Sequence, residues 1–159
     1  MKTNYLFSSK FKKTGWLLFV TGIFLGLIYL IYQPEPTFLN VSVSSIAEQQ
    51  SLFSKVSFFS MTKTNLFDEI VGLLLIIGAL LVAFSKEKTE DELISKIRLE
   101  SLVWATYINY AVLITTIIFV YDFAFLWVLK FNMFTILIFF IIRFNWALYK
   151  SKTLLQNEE

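Results

Sequence analysis

Four apolar runs, each about as long as the roughly 20-residue helix that crosses a bilayer, are separated by short segments that hold most of the charge. That alternation restricts the fold more than any motif does. A chain with this pattern buries its backbone polar groups inside helices, because hydrocarbon offers no other partner for them. The composition agrees: 57% of the 159 residues are hydrophobic and 18% aromatic, and the mean hydropathy is +0.66. Charged residues make up 16%, against about 25% in soluble domains. The expected fold class is therefore an all-α membrane protein, a single four-transmembrane-helix bundle whose principal partner is the lipid bilayer.

Several functions are excluded early. The chain contains no Cys and no His, which removes disulfide frameworks, thiolate nucleophiles, His-based metal sites and Ser-His-Asp triads. No Gly-rich phosphate loop or nucleophile elbow occurs. A net charge of +2 argues against direct binding of nucleic acid. The expectation is a protein without cofactor or metal, and not an enzyme.

Lys2, Lys10, Lys12 and Lys13 precede the first apolar run, Gly15 to Tyr32. The run is longer than a signal-peptide core and lacks a small-residue cleavage site, so it predicts an uncleaved first span over residues 15–33. Gly22 and Gly26 form a G-x-x-x-G pair that lets another helix approach closely, in the same chain or in a homo-oligomer. Trp16, Tyr29 and Tyr32 suit the two interfaces, and Pro34 and Pro36 stop the helix.

Residues 34–64 form the one long connection. Leu39, Val41 and Val43 alternate with Asn40, Ser42 and Ser44, the period of a half-buried strand. With Leu52 to Met61 as partner strand and a turn near Ala47 to Ser51, the segment predicts a small extracytoplasmic β-hairpin. The second span is expected over residues 66–85, capped by Asn65, with Asp68 and Glu69 near the positive end of its dipole. Glu69, Gly72, Ile76, Ala79 and Ala83 share one face, which is the expected packing surface.

A charged connector, residues 86–97, leads into the third helix. Thr89-Glu90-Asp91-Glu92 reads as a capping box, and Glu92 with Lys96 forms an i,i+4 pair. Nothing breaks the helix between residues 90 and 121, a length of roughly 48 Å at 1.5 Å per residue. Arg98, Leu102, Ala105, Asn109, Val112 and Thr116 share one of its faces. The fourth span is expected at residues 125–148, with Lys130 and Arg143 near its two ends, followed by a polar tail at residues 149–159.

Orientation follows from the basic residues. Lys55, Lys63 and Lys130 fall on one side, and the remaining 11 of the 14 Lys and Arg fall on the other. The positive-inside rule then places both ends and the connector in the cytoplasm, as expected of a multi-pass protein of a bacterial inner membrane.

Intramembrane polar groups are the first functional candidates, since each needs a partner where water is absent. Asn109 is the best placed, with Glu69 and Lys130 beside it as candidates. The plain reading of Asn109 is an interhelical hydrogen bond, and the sharper one is a ligand or ion contact. Glu90, Asp91, Glu92, Lys96 and Arg98 form the candidate interaction surface. Glu87, Glu90, Asp91 and Glu92 could be read as a Mg2+ or Ca2+ site, but the interleaved Lys86, Lys88 and Lys96 favour a solvated helix start. Arg98 is expected to pair with a connector acid or a lipid phosphate. Gly22, Gly26, Gly72 and Ala79 are the candidate packing residues.

The run FSKEKTEDELISKIRLESLVWATYINY, with TNLFDEIVGLLLIIGALLVA before it and FNMFTILIFFIIRFNWALYK after it, resembles a family of small uncharacterised four-helix membrane proteins common in Bacteroidota. The resemblance covers Asn65 to Lys150. Members are often encoded beside helix-turn-helix regulators, so it implies signalling across the membrane and supplies no catalytic residues. The favoured expectation is a non-enzymatic signalling or assembly partner that contacts a cytoplasmic protein, such as a transcriptional regulator, through the connector. The alternative is a small oligomeric transporter or ion-coupled carrier using Glu69, Asn109 and Lys130.

Overall fold

A computed structural model describes residues 6–48 and 55–156. Helix α1 spans Lys10–Tyr32, and a short 3-10 turn follows at Thr37–Leu39. Strands β1 (Asn40–Glu48) and β2 (Ser57–Asn65) come next, then α2 (Phe67–Phe84), α3 (Glu92–Phe119) and α4 (Asp122–Gln156). All four helices are long and apolar enough to cross a membrane. Helix α1 begins at Lys10 rather than Gly15, so its first turns carry the basic residues. Helix α4 runs eight residues past the expected Leu148, which makes the start of the polar tail helical. Lys2 and residues 157–159 lie outside the described residues. The chain divides into two compact units, Thr21–Leu74 and Met1–Val20 with Leu75–Glu159.

In the first unit, α1 is closed by the residue after it, Gln33, which adopts the left-handed φ of 43° while its N–H still reaches Tyr29 O at 2.9 Å. Pro34 then prevents continuation. Left-handed backbone costs a non-glycine residue about 1–2 kcal/mol. Gln33→Gly is accordingly expected to raise stability by about 1 kcal/mol, read as a higher midpoint in thermal unfolding. The strands pair antiparallel from Asn40↔Asn65 to Glu48↔Ser57. Asn65 fixes the base of the hairpin. Its Nδ2 donates to Pro36 O (2.9 Å) and Asn40 Oδ1 (2.7 Å), while its Oδ1 accepts from Phe67 N (3.1 Å) and so caps α2.

Two details of the hairpin differ from the sequence expectation. The second strand is Ser57–Asn65 rather than Leu52 to Met61, because the Asn40–Asn65 pair sets the register and leads β2 directly toward α2. The expected turn lies mostly outside the described residues. Nor does the alternation bury an apolar face. The more sheltered side carries a hydroxyl ladder, in which Ser45 Oγ meets Ser60 Oγ at 3.0 Å and accepts from Thr62 Oγ1 at 3.2 Å. Ile46, Phe58, Phe59 and Met61 remain largely exposed. A two-stranded hairpin has no second layer of its own to cover them.

The second unit holds the core: Phe19, Ala79, Val82, Ala83, Ile94, Ala105, Phe140, Ile141, Phe144 and Leu148. All four helices contribute to it. Helices α1 and α2 come into close contact at two glycines, Gly15 and Gly78. A Cβ on Gly15 would stand 2.7 Å from Leu81 Cβ, and one on Gly78 would stand 2.5 Å from Phe19 N. Helices α3 and α4 are joined through Val120 and Tyr121 alone, with Asp122 at φ 59° opening α4. So short a connection makes them antiparallel neighbours. The buried face of α3 runs Ile94, Arg98, Ser101, Ala105 and Asn109, the 3-to-4 spacing of a helix that packs along one stripe.

The packing face of α2 is rotated from the expected one. Ala79 and Ala83 lie in the core at 2% and 1% exposure. Gly72 does not act as a packing glycine, since a Cβ there would meet nothing within 4 Å, and Glu69 is exposed. The contact face instead follows Gly78, Ala79, Val82 and Ala83.

Candidate functional site

Arg98 organises the charged end of the second unit. It is 8% exposed, on the second turn of α3, and its guanidinium closes the end of α2. Nη1 donates to Ala83 O at 2.9 Å and Ser85 O at 3.3 Å, while Nη2 donates to both carboxylate oxygens of Glu90 at 3.1 and 3.2 Å. Helix α2 has no basic residue in its own last turn. Arg98 supplies from α3 the cation that the negative end of a helix dipole favours. Its Cζ also lies 4.7 Å from the centre of the Phe144 ring. Phe144 stacks on Phe140 at 5.6 Å, and Phe140 on Phe84 at 5.7 Å. The planar, weakly hydrated guanidinium suits such a face.

Glu90 serves this cluster rather than a capping box. Its Oε2 accepts from Glu87 N at 2.9 Å, and with Arg98 on the other side the carboxylate is fully engaged. The cap of α3 falls to Asp91 instead of Thr89: Asp91 Oδ1 accepts from Ile94 N at 2.8 Å, and the helix begins at Glu92. Asp is among the strongest N-caps, so the later start still satisfies a free N–H of the first turn. Glu92 and Lys96 are exposed and form no ion pair with each other.

The segment before α1 is stitched to the connector. Phe7 N donates to Phe84 O and Lys86 N to Phe7 O, both at 2.9 Å, a single parallel bridge between Phe7 and Ser85. Lys12 pairs with Glu87. Ser85 is fully buried, its hydroxyl donating to Leu81 O. The basic N-terminal segment, the end of α2 and the start of α3 therefore form one ordered charged cap.

Two cavities open in this cap. One, of about 520 Å3, is lined by residues that include Leu6, Glu92, Lys96, Arg98, Leu99 and Leu102. The other, of about 370 Å3, is lined by Ser9, Lys12, Lys13, Trp16, Lys86 and Lys88 among others. Among the described residues no group of three or more acids is placed to hold a metal ion.

The remaining candidates are dispersed. Asn109, 6% exposed, accepts at its Oδ1 from Asn132 Nδ2 at 3.1 Å, a bond from α4 to α3. Lys130 Nζ lies 5.7 Å from the Trp127 ring of its own helix. Glu69 belongs to the other unit. Gly22 is buried and Gly26 half-buried. Asn132 was missed in the sequence, although a signal existed: Asn109 lies as far before Val120 as Asn132 lies after Tyr121, and a tight turn there sets the two opposite each other. A double-mutant cycle of Asn109→Leu and Asn132→Leu is expected to give a coupling of about 0.6–1.7 kcal/mol, measured by unfolding in detergent. Coupling near zero would remove the bond from the account.

These observations define a class: a helical chain with four helices apolar enough to span a membrane and a two-stranded antiparallel sheet between the first two, consistent with a multi-pass membrane protein. Comparison with protein-family models, curated proteins and solved structures gave no match.

Proposed function

We propose that the chain is a non-enzymatic, multi-pass membrane protein that binds a cytoplasmic protein through the cap built from its N-terminal segment, its α2–α3 connector and the first turns of α3. The observation that carries this reading is the cavity of about 520 Å3. Its size falls within the range of small-molecule pockets, about 300–1,000 Å3, room for a few side chains of a partner. At its rim Glu92 and Lys96 are exposed and not ion-paired to each other, and Leu99, 63% exposed, lies beside them. An apolar floor with charges of both signs at the edge suits a helix or loop of a partner laid into a groove. Because Arg98, Glu90 and the Phe7 bridge fix the walls, a partner would meet a preformed surface and lose little affinity to ordering it.

Orientation draws support from the same end of the molecule. Arg143 Cζ lies 5.7 Å from the Trp104 ring and 5.1 Å from that of Trp146, and Lys150 Nζ lies 5.7 Å from Trp146. Aromatic rings interleaved with cations mark a membrane interface, and cations mark the cytoplasmic one. The chain has no cysteine, so single cysteines at Lys88, Ser151 and Lys63 report topology directly. Impermeant maleimide applied to intact cells is expected to label only Lys63→Cys.

The partner is tested by placing a photo-crosslinker at Leu99 in cells. A discrete adduct with one second polypeptide is expected, reduced by Lys96→Glu and restored by a charge-reversed residue on that polypeptide. Adducts with lipid alone, or an adduct indifferent to Lys96, would sink the reading.

A further inference from the structure

We infer that the cavity between the first turns of α1 and the α2–α3 connector is a binding site for the phosphate headgroup of an anionic phospholipid. This inference rests on the membrane reading above but not on the protein partner. Four cations, Lys12, Lys13, Lys86 and Lys88, line this cavity. Glu87 is the one acid among its lining residues, and it is paired with Lys12. Lys13, Lys86 and Lys88 have no ion pair among the described residues. Three lysines without an ion pair therefore line a space of about 370 Å3.

The cations come from two chain segments 75 positions apart at the Lys12–Glu87 pair. The Phe7–Ser85 bridge holds those segments side by side. Without that bridge the lysines would be scattered surface charges; with it they form a pocket. Ser9 and Thr89 add hydroxyl donors to the lining. Trp16 lies on the same wall and is 37% exposed, the half-buried, amphipathic placement found at headgroup level. Basic pockets at the cytoplasmic ends of spanning helices bind anionic headgroups by this chemistry, with each cation near the surface contributing to attraction for the phosphate. A zwitterionic headgroup brings its own ammonium into the same field and gains much less.

The experiment uses the full chain purified in detergent and observed by native mass spectrometry, with phosphatidylglycerol, phosphatidylcholine or inorganic phosphate added separately. One phosphatidylglycerol is expected to bind in preference to phosphatidylcholine. Each of Lys13→Gln, Lys86→Gln and Lys88→Gln should weaken it about fivefold, and the triple variant on the order of a hundredfold. Ser9→Trp, which fills the cavity without changing charge, should also abolish the preference. Equal binding of both lipids, an unaffected Ser9→Trp variant, or an equal loss from the control pair Lys96→Gln and Lys150→Gln would each overturn the site. Binding of inorganic phosphate as tight as that of the lipid would overturn the assignment to a phospholipid. Membrane residence is tested separately: a chain released from membranes by carbonate wash refutes the membrane reading, whereas a retained chain without lipid preference refutes only this site.

Discussion

Arg98→Leu is expected to destabilise the protein by about 3–5 kcal/mol, the usual cost of removing one partner from a buried ion pair. The side chains of Arg98 and Glu90 are 10% and 17% exposed, so the loss leaves a carboxylate with little access to water. It also leaves the Ala83 and Ser85 carbonyls without their shared donor. Arg98→Lys is no substitute. One ammonium cannot reproduce the fork that bridges two carbonyls and a carboxylate, nor the flat contact with Phe144. Glu90→Gln also leaves the buried guanidinium without its counter-ion, but it should cost less than Arg98→Leu, because the amide oxygen, the Ala83 and Ser85 carbonyls and the Phe144 ring still hold the cation. Combining Glu90→Gln with Arg98→Leu should recover part of the loss, since the orphaned carboxylate is then gone. The four proteins form a cycle read by denaturant titration in detergent. An Arg98→Leu midpoint within about 1 kcal/mol of the parent would show that the cluster does not hold the end of α2 to α3.

What could be read in the sequence was whatever depends on a residue's own chemistry. The four helices follow from run length and hydropathy, the end of α1 from Pro34, and the hairpin from the alternation after Leu39. Asn65 was legible as a cap because its side chain does the capping. Arg98 stood out because a cation on the face that continues into an apolar run needs partners, though the carbonyls it meets could not be named. Backbone-to-backbone contacts were not legible. The Phe7–Ser85 bridge uses main-chain groups that every residue carries, so no side chain announces it, and the basic pocket it creates was invisible for the same reason. The face of α2 was misread for a different cause. When nearly every position of a helix is apolar, hydropathy no longer separates inside from outside, and small residues become the remaining guide. Gly72 was read as the packing glycine, and Gly78, equally small and in the same run, was not singled out. Only the position of Phe19 tells them apart.

That difference makes the two glycines respond to the same substitution with opposite signs. Alanine is favoured over glycine in a helix by about 1 kcal/mol, and at Gly72, where an added Cβ meets nothing within 4 Å, Gly72→Ala should gain about that much. At Gly78 the new Cβ would lie 2.5 Å from Phe19 N, 2.8 Å from Phe19 Cα and 3.0 Å from Leu18 C. All three are backbone atoms, so no rotamer change relieves the contact and α1 must move away from α2. Overpacking of this kind costs about 1–3 kcal/mol, which outweighs the propensity gain. Gly78→Leu asks for a larger separation and is expected to prevent stable accumulation. Gly15→Ala tests the same seam one or two turns away, where Leu81 Cβ at 2.7 Å and Val82 N at 2.9 Å stand in the way. Thermal unfolding of the three alanine variants in one detergent decides the matter. If Gly78→Ala were stabilised like Gly72→Ala, α1 and α2 would not touch at Phe19. The core would then have to be assembled without α1, and the N-terminal segment would no longer be held where it bridges Ser85.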